Sequence, residues 1–376
     1  MNARTDFAMR LIDWHRDHGR HDLPWQRTHD PYLVWLSEIM LQQTQVDTVI
    51  PYYLRFLAHF PDFAALAAAP VDDVLALWSG LGYYARARNL HQAAQAVIDV
   101  HGSRFPSRAD DIAQLPGIGR STAAAIAAFS FGERAAILDG NVKRVLCRAF
   151  GIDGFPGERA VELRLWALAE SLLPASDAGT YIQAQMDLGA TLCTRARPAC
   201  ARCPLADVCV ARAQDRVAEL PAARPRKAVP QRRVRVAVIH AAGRVLLERR
   251  PPTGIWGGLL ALPEIPAGEP DVARWLETRF GFAAPTSAAL VPLQHAFTHF
   301  RLELSPIRFD VGDDAGRAVA DDGHRWVALA ELDSAGLPAP VRRILDGCAG
   351  AARSADADAD AVSKSGSSFR VRRTRD

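Results

Sequence analysis

From Phe7 to about Arg212 the apolar residues recur at helical spacing, in segments separated by Pro, Gly and Asp, and no run alternates as a half-buried strand would. A chain patterned this way folds its first part as an all-helical domain. The stretch from Leu220 to Arg233 breaks the pattern with Pro221, Pro225 and Pro230 set among Arg224, Arg226, Lys227, Arg232 and Arg233. That stiff, basic composition without core residues reads as an interdomain linker. Beyond it come β-type runs at Val234 to His240 and Val245 to Glu248, a helix-like stretch around Val272 to Phe280, and a strand pair near Leu290 to Phe309. The expected architecture is α+β multidomain: a helical domain over 1–215, a linker over 216–233, a mixed α/β domain over 234–349 and a tail over 350–376. With 376 residues, 49% of them apolar, each domain has material for a core. The tail, mostly Ala, Asp and Ser before Arg370, Arg372, Arg373 and Arg375, has too little apolar surface to fold.

The N-terminus carries Arg4, Asp6 and Arg10 without an apolar signal core, and no apolar run is long enough for a bilayer. A soluble, cytoplasmic protein without a membrane partner is expected. The net charge of +3, from 45 basic and 42 acidic residues, does not by itself indicate nucleic acid. Cysteine usage says more. Cys147 and Cys348 are isolated, whereas Cys193, Cys200, Cys203 and Cys209 share one short segment with the spacing C-x6-C-x2-C-x5-C. Without a secretory signal this reads as a metal site, suited to a tetrahedral zinc or to an iron-sulfur cubane. Arg195, Arg197 and Arg202 lie between the ligands, so a metal would stiffen a loop that presents guanidinium groups to phosphate.

Two further motifs carry chemistry. Leu115-Pro116-Gly117-Ile118-Gly119 joins a short acidic helix around Asp110 to Ala113 to an Ala-rich helix beginning near Ser121. Glycines at both turn positions let backbone approach a phosphate, and the second helix offers its unpaired N–H groups. Downstream, Asp139 stands before a helix that starts near Asn141 and fits equally as an N-cap or as a functional carboxylate. Glu38 lies in a helix opened by Asp30 and Pro31, with Val34 and Leu41 as neighbours on its own face. A helix apolar nearly all round is buried, and burial raises a carboxyl pKa so that it can hold a proton. Breaking a glycosidic bond calls for an acid to neutralise the leaving base and an anion to stabilise the oxocarbenium-like sugar. Glu38 and Asp139 suit those roles in that order.

Leu23-Pro24-Trp25, Trp35-Leu36-Ser37-Glu38, Leu41-Gln42-Gln43-Thr44-Gln45 and Leu81-Gly82-Tyr83-Tyr84-Ala85-Arg86, taken with the hairpin, aspartate and cysteine motifs, resemble the adenine DNA glycosylases of the MutY type. The resemblance runs from roughly Phe7 to beyond Pro340. It implies a helix-hairpin-helix glycosylase domain with a [4Fe-4S] cluster on the four cysteines. The implied partner is double-stranded DNA containing adenine opposite 8-oxoguanine or guanine, bound by a monomer associated with the nucleoid while it acts. Glu38 would protonate the purine, Asp139 stabilise the sugar cation or a covalent intermediate, and Asn141 assist. Gln43 and Tyr83 would wedge into the duplex. Trp25, Gln42, Thr44, Arg86, Gly117, Gly119, Ser121, Arg195 and Arg197 complete the expected DNA contacts. Related glycosylases that also cleave the backbone carry a lysine nucleophile where this chain has Ser121, and serine cannot form a Schiff base. A pure glycosylase is therefore expected. The alternatives are a pyrimidine-damage glycosylase/lyase and a DNA-binding protein without catalysis.

The run Gly258 to Phe282 resembles a Nudix box, with Gly258, Glu264, Arg274 and Gly281-Phe282 recognisable across a gap. Thr278 and Arg279 stand where that box has its metal-binding glutamates, so a divalent cation cannot be held there. The second domain is expected to bind rather than to hydrolyse, reading the oxidised guanine through Phe297-Thr298-His299, where the family's motif usually has serine in the middle. Threonine keeps the hydroxyl and adds a methyl.

Overall fold

A computed structural model of the chain describes residues 3–225, 228–284, 286–297, 299–312, 315 and 323–348. The chain divides into two compact units, one formed by 1–74 with 85–227 and the other by 75–84 with 228–376.

The described part of the first unit contains helices and no strand. Local signals set their ends. Asp30 caps the helix Pro31–Leu41, its side chain accepting from the Tyr32 N–H, and Asp62 caps Phe63–Ala68 in the same manner. The helices Arg120–Phe131 and Gly140–Phe150 each end on a glycine in the left-handed conformation, Gly132 and Gly151. One large core joins Phe7, Leu11 and Ile12 of the helix Ala3–His18 to Val142, Val145 and Leu146, and to Tyr181, Ile182 and Leu188 of the helix Ala178–Thr191. Asp187, fully buried, is satisfied there by the Arg20 backbone and side chain and by Gln183, with His15 at 3.3 Å.

The second unit is built on one sheet of strands β1 (Gln231–Ala241), β2 (Arg244–Arg249), β3 (Leu260–Ala261), β4 (Glu264–Ile265), β5 (Ser287–Ala289), β6 (Leu293–Ala296), β7 (Arg301–Asp310) and β8 (His324–Ala328). The order β3-β2-β1-β7-β5 forms its spine, with β4 on β1, β6 on β7 and β8 on β2. β1 and β7 run parallel from Gln231↔Arg301 to His240↔Asp310. Alternate residues face opposite sides. Val236, Val238, Leu302 and Leu304 meet Val341, Ile344 and Leu345 of a helix at 339–348. Ala237, Ile239 and Phe309 meet Trp275, Leu276 and Phe280 of the helix Val272–Phe280. The sheet is thus covered by a helix on each face.

The helix Val272–Phe280 and the strand pair β6–β7 stand where the sequence put them. The linker reading needs correction at both ends. Leu220 is buried and its carbonyl accepts from Arg148 Nε at 2.8 Å, while Gln231, Arg232 and Arg233 are already strand, paired with β7. The short strands β3, β4, β5 and β8 were not anticipated, because two to five residues carry too little periodicity to read, and the helix at 339–348 was not anticipated either. The expected tail lies outside the described residues.

Candidate active site

Glu38 stands on a helix whose neighbouring positions are almost all interior. Trp35 and Leu36 are fully buried, and Trp35 packs against Phe63 with ring centres 5.2 Å apart. The C-terminal end of this helix is closed by Arg86, whose Nη1 donates to the carbonyls of Ile39 and Met40 at 3.0 and 2.7 Å while Nη2 reaches Thr44 Oγ1 at 3.1 Å. Burial, and after it the charge of Asp139, push the Glu38 carboxyl up to about 7. It is therefore half-protonated near neutrality, the condition a general acid needs.

Asp139 caps the helix Gly140–Phe150. Its Oδ1 accepts from the Val142 N–H at 2.7 Å and its Oδ2 from Asn141 Nδ2 at 3.3 Å. Burial, the largest influence, leaves this carboxyl raised too, although the backbone N–H groups of Val142 and Asn141, the Arg144 charge and the Asn141 amide all oppose the rise. Donors aimed at one oxygen pair and a helix N-terminus behind it favour the anion. The two readings of Asp139 merge here: the capping bond fixes the orientation of the carboxylate. Asn141 is held in turn, since Arg144 Nη2 donates to its Oδ1 at 2.9 Å and to the Gly189 carbonyl at 2.7 Å. A Cβ at Gly189 would stand 2.5 Å from Asn141 Cβ, so only glycine lets the two helices meet here.

The hairpin joins the helices Ala109–Ile112 and Arg120–Phe131. Gly117 has φ +77° and a Cβ there would lie 2.6 Å from Asn89 Cβ, whereas the exposed Gly119 has open space around it at the start of the second helix. Ser121, expected to stand where backbone-cleaving relatives carry a lysine, accepts the Leu138 N–H on its Oγ at 2.9 Å. It is thereby committed to holding the strand-like approach to Asp139.

Cys193 lies two residues past the end of the helix Ala178–Thr191, its N–H bonded to the Leu188 carbonyl at 2.7 Å; Cys200 opens a 3-10 turn and Cys209 precedes the short helix Val210–Ala213. The four thiols crowd together. Burial first, and then the charges of Cys193, Cys209 and Cys200, lift Cys203 to about 11 against the Leu205 backbone N–H. The buried Arg148 binds the loop, donating to Cys193 Sγ at 3.4 Å and to the Thr194 carbonyl at 2.8 Å. Among the described residues no three His, Cys, Asp or Glu side chains close around a single ion. A sulfur-only donor set of four half-buried thiols in one loop fits an iron-sulfur cubane by its chemistry.

The expected DNA contacts divide. Gln43 and Tyr83 are exposed and both hold a left-handed backbone, φ 59° and φ 50°, a conformation rare outside glycine and concentrated at functional positions. Gln42 is half-buried near Thr122, Nε2 to Oγ1 at 3.4 Å, and Thr44 is the acceptor for Arg86. Arg195 and Arg197 are exposed on the cysteine loop. Trp25 and Arg86 are buried, Trp25 against Tyr53 with ring centres 5.3 Å apart. Their work is interior. In the second unit Phe297 is half-buried, stacked on Phe300 at 4.5 Å, and His299 is exposed; Thr298 lies outside the described residues. Arg279 pairs with Glu248 at 2.6 Å, a guanidinium where a Nudix box would place a metal-binding carboxylate. The sequence reading missed Arg144, Arg148 and Gly189. Arg144 stands five residues after Asp139, but its carbonyl partners at Gly189 and Cys193 are remote in sequence.

Residues 36–171 match the HhH-GPD superfamily of base excision DNA repair proteins and residues 235–347 match the NUDIX domain. The chain is 36% identical to the adenine DNA glycosylase of Buchnera aphidicola subsp. Acyrthosiphon pisum, over 90% of this chain and 97% of that one. It is 32% identical to the adenine DNA glycosylase of Homo sapiens, over 90% of this chain and 73% of that one. Among solved structures it is similar to a thermostable thymine-DNA glycosylase, with a TM-score of 0.52 and 30% identity, covering 56% of this chain and 97% of that one.

Proposed function

The chain belongs to the adenine DNA glycosylase family, and from that membership and the carboxyl pair we infer that it removes adenine mispaired with 8-oxoguanine or guanine from double-stranded DNA, by hydrolysing the N-glycosidic bond of the extruded nucleotide. The observation that carries the reading is the opposed environments of two neighbouring carboxyls: Glu38, half-buried on a helix of buried neighbours, has its pKa pushed up to about 7, while Asp139, also half-buried, is served by donors. Glu38 gives its proton to the departing purine, and Asp139, oriented by Val142 and Asn141, faces the positive charge that develops on the sugar. Water completes the hydrolysis and the phosphodiester backbone stays intact, because the Ser121 hydroxyl serves Leu138 and no lysine stands there.

Cys193, Cys200, Cys203 and Cys209 would hold a [4Fe-4S] cluster, which would supply rigidity to the loop that carries Arg195 and Arg197 toward phosphate. Gln43 and Tyr83 enter the stack that the adenine leaves, the Gly117 to Gly119 turn and Gln42, Thr44 and Ser121 support the backbone contacts, and Phe297, Thr298 and His299 read the opposite base. Among the described residues no helix is long and apolar enough to cross a membrane. The proposed enzyme acts as a monomer on nucleoid DNA in a bacterial-type cytoplasm.

The test is single-turnover excision on duplexes with adenine opposite 8-oxoguanine, guanine or thymine at fixed salt, with borohydride trapping alongside. Excision from the first two without a trapped protein–DNA adduct is expected. A trapped adduct, or release of a damaged pyrimidine in place of adenine, would overturn the reading. Protein as purified should be brown and contain iron; a colourless, fully active zinc protein would refute the cluster.

A further inference from the structure

Gly80, Gly82 and Tyr83 hold a left-handed backbone within one tight strip, at φ 102°, 74° and 50°. The glycines take it freely, but Tyr83 does not, and its side chain stands 50% exposed. Such a conformation persists where the surroundings over-determine it. The residues on either side supply that hold. Trp78 is fully buried, donates from Nε1 to the Gly82 carbonyl at 3.1 Å, and accepts the Leu81 N–H at 3.1 Å on its own carbonyl. Tyr84 is buried, and its hydroxyl donates to the Leu337 carbonyl at 3.0 Å while accepting the Gly80 N–H at 3.5 Å.

Leu337 belongs to the core of the second unit, in one apolar cluster with Leu260, Val341 and Leu345. The residue before it, Gly336, accepts the Leu260 N–H of β3 on its carbonyl at 3.2 Å. Ser79 Oγ donates to the same Leu337 carbonyl at 3.2 Å, so one oxygen with two lone pairs takes two hydroxyls from the strip. Hydrogen bonds of this kind fix both a distance and a direction, which apolar packing alone does not. A continuous path of bonds thus runs from the sheet through 336–337 to Tyr84, the neighbour of the exposed ring.

We propose that Tyr84 is a positioning residue for the side chain that enters the duplex: its hydroxyl, with that of Ser79, ties Tyr83 to the core of the second unit, and the tie sets how readily the Tyr83 ring enters the stack. The inference rests on the reading of Tyr83 as a residue that enters the stack. A side chain that must hold two bases apart works best when its own order is settled before contact, because the ordering cost is then not charged against unstacking. The bonds to Leu337 provide that order without touching DNA.

The experiment uses the full chain and a duplex carrying 2-aminopurine beside the target adenine, whose fluorescence rises when stacking is broken, followed by stopped flow. Tyr84→Phe and Ser79→Ala should each slow unstacking about threefold, and together about tenfold or more, the worth of neutral hydrogen bonds, while duplex affinity changes less than about twofold. Tyr83→Ala should slow unstacking at least as much as the double variant. In the Tyr83→Ala background, Tyr84→Phe should add nothing, whereas a merely structural role would subtract equally in both backgrounds. Thermal melts verify folding, and if Tyr84→Phe does not fold, Ser79→Ala reads the same tie from its other donor. Unstacking at the parent rate in the Ser79 and Tyr84 variants, or a loss of equal size in the Tyr83→Ala background, overturns the proposal while leaving Tyr83 its role. Parent-rate unstacking by Tyr83→Ala itself overturns that role and the proposal together.

Discussion

Glu38 and Asp139 show how the same side-chain chemistry is divided by surroundings. Both carboxyls are lifted by burial, yet only Asp139 has N–H donors to offset it. Because the pKa of Glu38 is raised to about 7, its proton is present below that pH and lost above it, so single-turnover excision should fall about tenfold per pH unit on the alkaline side of 7. Glu38→Gln should lower excision by about 10² to 10⁴ and remove that alkaline limb while duplex binding persists. The same shift links to stability: the folded state favours the protonated form, a contribution full below the ordinary carboxyl range and lost as pH rises through 7. Glu38→Gln should consequently melt higher than the parent at pH 8, and an unchanged or lower melting temperature there would count against a buried acid. Glu38 was legible in the sequence because its own helix neighbours are apolar, and Asp139 because it precedes a helix start. Arg144 was not, since its partners are carbonyl groups in residues 45 and 49 positions away.

At the scale of elements, the site depends on how closely the helix Gly140–Phe150 meets the helix Ala178–Thr191. Gly189 is the point of contact, and Asn141, whose amide steadies Asp139, lies directly on it. Gly189→Ala should therefore displace Asn141. The expected result is an excision rate reduced about tenfold to a hundredfold, since small misplacements of reacting groups are expensive, and a stability loss of about 1–3 kcal/mol from overpacking. Rates and melts that match the parent would show that the contact can relax harmlessly. Helical periodicity gave the elements themselves, but not this close approach, which a single glycine inside a helix does not announce. The DNA contacts divided for a related reason: Trp25 and Arg86 sit in family-like motifs beside exposed residues, and sequence alone could not tell which of them faced inward.

For the whole molecule the notable fact is that the second unit is discontinuous in sequence. Within it, Ser79 Oγ and Tyr84 Oη both donate to the Leu337 carbonyl, at 3.2 and 3.0 Å, and Gly336 packs against Leu75. No reading of composition could join segments so far apart; the linker marked only where the covalent chain changes character. A chain shortened to end at residue 225 should still excise adenine opposite guanine, but with its preference for 8-oxoguanine reduced about tenfold to a hundredfold and with a lower melting temperature, since hydrogen bonds of about 1 kcal/mol each are lost from 75–84. Unchanged partner preference would mean that the helical unit reads the lesion alone. The same discontinuity bears on the order in which the protein is made. Ser79 leaves the ribosome 258 residues ahead of Leu337, a delay of roughly 13–50 s at the usual pace of synthesis. For that interval Leu75–Tyr84, the earliest segment of the second unit, waits with its eventual carbonyl partner not yet synthesised. Proteolytic nicking of stalled nascent chains should therefore concentrate in that strip until Leu337 emerges, so that the second unit closes on its own earliest segment only when its final residues are made.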